Sequence, residues 1–252
     1  MTDQGTTAAV AHDELPVYFG GGDRPLFGVI TRPVGPPGRI GVLLLPGAVY
    51  VTSTNKNRTF VKLARELAGG GHRSLRIDYQ GVGESPGVIT NYALDDPNPS
   101  DVTAALDCLL DAGAERLVLV GSCFGARAAM HAAAAHAQLL GMVLLAPPTG
   151  DSGRGETPEA MALGPLFQAG IEILSQRKAP TLLLYGDHDA YFRAFNTAAS
   201  GPLAHLLQEG SSITVRTVPG DLHGLTHVAA QKAFIDIVAG WINDLAIEPV
   251  DA

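Results

Sequence analysis

A serine and a cysteine, Ser122 and Cys123, stand side by side in the stretch GSCFG at residues 121–125. Either side chain could attack a carbonyl carbon. An apolar run precedes this stretch and an alanine-rich run follows it, which predicts a sharp strand-to-helix turn. A nucleophile lifted out of a sheet by such a turn needs small residues two positions before and two positions after it. Gly121 and Gly125 meet this need for the cysteine, whereas the serine would have valine and phenylalanine there, so the spacing selects Cys123.

The position of Cys123 at the start of a predicted helix adds to this interpretation, because the helix dipole favours a thiolate. The alternative is that Cys123 is a buried cysteine of the core, which is a common place for this residue type. We expect that plainer role for Cys108, which lies within the apolar spacing of a predicted helix.

Composition excludes several classes of protein. The chain has 252 residues, of which 46% are hydrophobic and 17% are charged, so it can bury a large core. The net charge of -8 disfavours nucleic acid and anionic membrane surfaces as partners. Two cysteines, no signal-peptide pattern and no long apolar run predict a cytoplasmic protein without a membrane partner. No spacing typical of a zinc site or a phosphate loop is present, so we expect no metal and no cofactor.

Short apolar runs alternate with helical patterns along the chain. This alternation predicts an α/β fold with a mostly parallel twisted sheet and helices on both faces. The first two strands are expected to form an antiparallel pair, and Ser100 or Asp101 is expected to cap the second helix. Strands are predicted at 17–20, 26–31, 39–46, 72–79, 116–121, 140–147, 180–186 and 213–220, and helices at 58–71, 99–113, 123–137 and 225–245.

One segment, at about 148–179, interrupts the alternation. It begins polar and glycine-rich and continues into a helical pattern in which Thr157 caps and Pro158 takes the first turn. We interpret it as a small helical cap over the carboxyl edge of the sheet, within a single domain that spans residues 1–252. Its apolar side chains could contact a hydrophobic acyl chain or pack the cap onto the core. They are Met161, Leu163, Leu166, Phe167, Ile171, Ile173 and Leu174.

The sequence resembles the α/β-hydrolase superfamily from about residue 17 to residue 245. Five stretches carry the resemblance: LLLPGAVY (43–50), RIDYQGVGESPG (76–87), GSCFG (121–125), LLLYGDHDAYF (182–192) and VPGDLHGL (218–225). The resemblance implies the α/β-hydrolase fold and the chain order nucleophile, acid, histidine. With cysteine in the serine position, the chain is similar to dienelactone hydrolases and to cysteine-bearing hydrolases of exopolysaccharide and secondary-metabolite clusters.

The resemblance implies a base and an acid for Cys123. His223 lies on a loop between a predicted strand and the last helix, as the family's histidine does, and is preferred to His227 and His188. Family loops of the form Gly-x-x-Asp point to Asp189 as the acid, whereas Asp187 would bind the loop backbone.

The resemblance also implies an oxyanion hole, and the residue types suggest further contacts. The oxyanion hole is expected from the backbone N–H groups of Phe124 and of Ala48 or Val49. Substrate contacts are expected from Val49, Tyr50, Met161 and Phe167, although a packing role is common for a tyrosine. Arg127 could bind an anionic substrate, but we expect it to form an ion pair with an acidic neighbour. Asp78 is expected to be structural, within a glycine-rich loop.

Cysteine chemistry limits the reaction. Thiolate leaves a tetrahedral intermediate more readily than an amine does, so esters, lactones and thioesters are favoured over amides. We therefore expect hydrolysis through an acyl-cysteine, acting on a small-molecule acyl substrate that is free or carrier-bound. A cysteine acyltransferase or type II thioesterase is an alternative, and a hydrolase-like binding protein without activity is an alternative of another class.

Overall fold

A sheet of eight strands runs through the protein, and its carboxyl edge carries the candidate site. The computed structural model describes residues 11–22, 25–47, 51–89, 93–133, 136–151 and 162–247. The strands, in chain order, are β1 His12–Phe19, β2 Leu26–Pro33, β3 Ile40–Leu45, β4 Arg73–Ile77, β5 Arg116–Ser122, β6 Leu139–Leu145, β7 Thr181–Gly186 and β8 Ile213–Val218. Their order across the sheet is β1-β2-β4-β3-β5-β6-β7-β8.

The strand directions confirm the predicted sheet. β1 pairs with β2, and β2 with β4, in antiparallel fashion, whereas the remaining neighbours from β4 to β8 are parallel. The chain leaves β3 for β4 on one side and then returns to β5 on the other side of β3. The crevice beyond the carboxyl ends of β3 and β5 is therefore a topological switch point, where open α/β sheets bind ligands.

Helices cover both faces of this sheet. They are α1 Thr59–Gly69, α2 Pro99–Asp111, α3 Phe124–Ala132, α4 Pro165–Arg177, α5 Ala190–Ala199 and α6 Val228–Ile247, with short 3-10 turns at Lys56–Arg58 and Ala204–Leu206. α1 packs on α6, whereas α3 packs on α2 and α4. Among the helices of the described ranges, none combines the length and the apolar character that crossing a bilayer demands.

The core forms because the central strands are apolar on both sides. β3 and β7 are buried along their whole length, as expected for strands covered by helices on both faces. α1 buries Phe60, Leu63 and Leu67 at helical spacing, and the Phe60 ring stacks on Phe234 of α6 with centroids 6.5 Å apart. Burial of each such side chain contributes about 2 kcal/mol. This packing fixes the strand ends from which the site loops leave.

Three details differ from the sequence-based expectation. The cap of α2 is Asn98 rather than Ser100 or Asp101, and Asp101 instead accepts the Gln80 N–H at 2.9 Å. The final helix begins at Val228 rather than at 225, since Leu225 has a positive φ of 50° that no helix residue adopts. The sequence patterns above do not predict α5. Thr157 and Pro158, the expected start of the cap helix, lie outside the described residues.

Candidate active site

Cys123 lies on the sharp turn between β5 and α3. Its backbone has φ 50° and ψ -110°, a conformation that is strained for a residue with a side chain. A Cβ at Gly121 would overlap the carbonyl oxygen of Gly125, and one at Gly125 would overlap the carbonyl oxygen of Leu45. The two glycines are therefore required by close backbone approach on either side of Cys123, as the spacing predicted.

The surroundings of Cys123 combine burial with the positive end of a helix. The residue is 5% exposed, and its N–H donates to the Leu145 carbonyl at 2.8 Å, which ties the turn to the end of β6. Cys123 also stands at the N-cap position of α3, where the helix dipole favours negative charge. The helix dipole therefore favours negative charge on Cys123, whereas burial opposes it.

The N–H of Phe124, the expected oxyanion donor, has an acceptor in this structure. It donates to the Gly47 carbonyl oxygen at 3.2 Å. Gly47 is the second residue after β3, so the segment after β3 and the turn at Cys123 are in direct contact. The other residues predicted for this loop, Ala48, Val49 and Tyr50, lie outside the described residues.

His223 lies on the loop between β8 and α6, and its backbone is held from both sides. Its N–H donates to Asp189 Oδ1 at 3.0 Å, and its carbonyl oxygen accepts from Lys56 Nζ at 3.1 Å. The imidazole meets the Tyr191 ring edge to face with centroids 4.9 Å apart. Burial, followed by the charge of Lys56, lowers the pKa of His223 to about 4, while Asp221 opposes this shift. The ring is therefore neutral at neutral pH, as a general base must be.

Asp189, the expected acid, is 1% exposed at the end of β7. Its Oδ2 accepts the Gly186 N–H at 2.7 Å, and its Oδ1 accepts the N–H groups of Leu222 at 2.9 Å and His223 at 3.0 Å. Burial, followed by a hydrogen bond to Asp221, raises the pKa of Asp189 to about 7, although the backbone donors oppose the shift. Asp189 thus shapes the histidine loop through the backbone.

Asp221 is a member of the site that the sequence reasoning missed. It shares a hydrogen bond with Asp189, which lowers the pKa of Asp221, and it accepts the Gly224 N–H at 2.9 Å. Its charge also acts on His223, since it raises the pKa of that ring. The signal in the sequence was an acidic residue two positions before the histidine in VPGDLHGL.

The alternatives to His223 and Asp189 lie in less suitable places. Asp187 accepts the Gly220 N–H at 2.8 Å, the backbone role expected for it. His188 has an 80% exposed side chain and faces Asp187 at 3.8 Å. His227 is exposed and precedes α6, rather than lying one turn inside it as expected.

Arg127 and Asp78 have the structural roles predicted for them. Arg127 is 4% exposed and donates to Asp151 Oδ1 at 2.7 Å and to the carbonyls of Pro148 and Gly150 at 3.1 and 3.2 Å. Asp78 is buried and accepts the N–H groups of Ser53 and Glu84. Both side chains anchor loops around the crevice.

The cap segment packs closely on the core where it is described. Phe167, Ile171 and Leu174 of α4 are fully buried, and the Phe167 ring lies 5.3 Å from the Arg127 guanidinium carbon. Contact between Phe167 and a substrate stays a prediction, and Met161 lies outside the described residues. Within the ranges that the structure covers, no three His, Cys, Asp or Glu side chains come together as a metal site would require.

The chain belongs to the alpha/beta hydrolase family, whose model matches residues 42–247. It is 24% identical over 180 residues to an uncharacterized protein of Rickettsia prowazekii, covering 71% of this chain and 68% of the relative.

Solved structures share the fold at low identity. Est1E of Butyrivibrio proteoclasticus with bound ferulic acid has a TM-score of 0.69 at 18% identity, with 92% of this chain and 100% of that chain covered. An esterase of Pyrococcus furiosus has a TM-score of 0.64 at 15% identity, with 94% and 92% covered. A dienelactone hydrolase of Anabaena variabilis has a TM-score of 0.62 at 19% identity, with 92% and 97% covered. The protein is thus a hydrolase of the α/β type with esterase-like structural neighbours.

Proposed function

We propose that the protein cleaves an ester, lactone or thioester through a covalent acyl-cysteine on Cys123. The observation that carries the proposal is the strained backbone of Cys123, φ 50°, between two glycines at which any Cβ would overlap neighbouring backbone. Strain of this kind persists only where the surrounding structure enforces it, and it clusters at active sites. A core cysteine would need neither the strain nor the glycines.

In the proposed reaction, His223 takes the proton of the Cys123 thiol, and the thiolate attacks the substrate's carbonyl carbon. The tetrahedral intermediate collapses by breaking the bond to the leaving alcohol or thiol, which takes the proton from His223. Water, deprotonated by the same imidazole, then attacks the acyl-cysteine, and the C–S bond breaks to release the acid. The Cys123 sulfur takes the proton back from His223. The neutral His223 ring supports its role as base, and Asp189, with Asp221, supports the position and charge of the histidine loop.

The substrate class is a small acyl ester or thioester, free or on a carrier. The esterase and dienelactone hydrolase among the structural neighbours support ester cleavage. A thiolate nucleophile supports activated acyl donors in particular, because thiolate is a better leaving group than an amine. Transfer of the acyl group to an amine or alcohol uses the same intermediate.

Intact-protein mass spectrometry tests the proposal with p-nitrophenyl esters and acyl thioesters of increasing chain length. We expect an acyl adduct at Cys123 and release of p-nitrophenol or thiol, both lost in Cys123→Ala. Cys108→Ala is the matched control and should keep both, because Cys108 is a half-buried helix residue beside the core. Absence of adduct and product with every donor would favour a binding protein. Ester or amide products with added alcohols or amines would identify a transferase.

A further inference from the structure

The N–H of Phe124 cannot serve an oxyanion while it donates to the Gly47 carbonyl at 3.2 Å. Under the proposed function, on which this inference rests, the N–H after the nucleophile must point at the developing oxyanion. The hydrogen bond between the Phe124 N–H and the Gly47 carbonyl must therefore break during each acylation. A buried carbonyl that loses its donor is strongly disfavoured unless a second donor takes it.

A buried carboxamide lies beside Gly47. Asn55 is 4% exposed, and neither its Nδ2 nor its Oδ1 has a hydrogen-bond partner among the described residues. Its Oδ1 lies 3.7 Å from the point that a Cβ of Gly47 would occupy, and Ser122 Oγ lies 3.2 Å from the same point. A half-turn of the carboxamide exchanges its oxygen and nitrogen, which places Nδ2 on the side that faces Gly47. Buried amides without partners are rare in folded proteins, so this one calls for an explanation.

The backbone around Asn55 holds the side chain there at a conformational penalty. Asn55 has φ 53° and ψ 176°, close to a region that is essentially restricted to glycine. Its two neighbours anchor the segment to the histidine loop, since Lys56 Nζ donates to the His223 carbonyl and Asn57 Nδ2 donates to the Leu225 carbonyl at 2.8 Å. The strained segment therefore connects the histidine loop with the loop after β3.

We propose that Asn55 is a positioning residue of the oxyanion hole. In the resting protein the Gly47 carbonyl accepts from Phe124. When an acyl substrate enters, this carbonyl turns to Asn55 Nδ2–H, and the Phe124 N–H becomes free for the oxyanion. The carboxamide acts through Gly47 and does not touch the substrate.

Asn55→Gly is the sharpest test, because glycine removes the carboxamide and also relieves the positive φ. We expect the rate of acylation by a p-nitrophenyl ester at saturation to fall roughly tenfold to hundredfold, with KM nearly unchanged. The rate of Cys123 alkylation by iodoacetamide should stay at the wild-type value, since displacement at a CH₂ carbon forms no oxyanion. Asn55→Ala should give the same results as Asn55→Gly in both assays. Thermal unfolding checks that both variants are folded.

The outcomes separate this inference from the proposed function. Wild-type acylation in both variants would overturn the role of Asn55 and leave the acyl-cysteine standing. Acylation and alkylation that fall together would mean that Asn55 only supports the structure of the turn, which also overturns it. If the wild-type protein is alkylated at Cys123 but forms no acyl adduct with any donor, the proposed function fails and this inference fails with it.

Discussion

Oδ1 of Asp189 lies 3.0 Å from the backbone nitrogen of His223, so the acid after β7 holds the histidine loop by its main chain. The same oxygen also accepts the Leu222 N–H at 2.9 Å, and the second oxygen accepts the Gly186 N–H. A single buried carboxyl group thus fixes the distance between two loops that follow neighbouring strands. The backbone position of His223 therefore depends on the Asp189 carboxyl group.

Replacing Asp189 by asparagine is expected to destabilise the protein by about 1–3 kcal/mol and to reduce acylation. The amide would turn an NH₂ group towards at least one of the backbone N–H donors that now meet oxygen. Urea unfolding and the ester assay measure the two effects. Asp187→Asn is the matched control. Asp187 lies two positions before Asp189, and its hydrogen bond to the Gly220 N–H is exposed. Equal unfolding midpoints for the two variants would contradict this account of Asp189.

His223 is expected to make stability depend on pH. Its folded pKa of about 4 lies below the ordinary value of 6.5, because the folded protein buries the neutral ring. This contribution is complete above pH 6.5 and is lost as the pH falls towards 4, since the unfolded chain then binds the proton more readily. As the pH falls from 7 to 4, the free energy of unfolding of the wild type should therefore decrease by about 3 kcal/mol more than that of His223→Gln. Urea unfolding of both proteins at several pH values measures the difference.

The pair of Asp189 and Asp221 is expected to shape the pH dependence of activity. Burial and Asp221 together raise the pKa of Asp189 to about 7, so the fully ionised form of Asp189 requires a pH above 7. Asp221→Asn removes the neighbouring charge and should lower the pKa of Asp189, which shifts the rise of kcat/KM with pH to lower pH. The pH profile of ester cleavage from pH 4 to 9 provides the measurement. If the midpoint of the pH profile is the same in Asp221→Asn and the wild type, Asp221 does not influence the pH dependence of catalysis.

A side chain at Gly125 is expected to disrupt the turn at Cys123. The Cβ of Gly125→Ala would overlap the Leu45 carbonyl oxygen, so β3 and α3 must move apart. We expect destabilisation of about 2 kcal/mol or more and loss of acylation at Cys123. Gly240→Ala in α6 is the control, because a Cβ there meets nothing within 4 Å and alanine favours a helix. Gly240→Ala should unfold at the same or a slightly higher urea concentration than the wild type.

Steric rules explain why much of the fold could be predicted from the sequence. The alternation of apolar runs with helical patterns depends on local spacing, and it located the strands of the parallel sheet. The spacing of Gly121 and Gly125 follows from hard contacts with neighbouring backbone, so it located the turn at Cys123. Such features are visible because each depends on a few adjacent residues.

Other features depend on contacts between distant parts of the chain. The path of the histidine loop is fixed by Lys56, which lies 167 positions from His223, and no local pattern reports that hydrogen bond. The pairing of Asp189 with Asp221 likewise arises only when the loops after β7 and β8 meet. The α2 cap was misplaced for a similar reason, because Asp101 is occupied by the distant Gln80 N–H.

The hydrogen bonds of Arg127 and Asp151 have a consequence for protein engineering. Asp151 accepts from Arg127 on α3 and from the N–H groups of Leu166 and Phe167 at the start of α4. A Cβ at Gly164 would overlap the Asp151 carboxylate, so the two sides of the cap segment meet at this one carboxylate. Chimeras that exchange cap sequences between relatives should therefore be spliced between Asp151 and Gly164, where the exchange leaves the hydrogen bond between Asp151 and Arg127 of α3 intact.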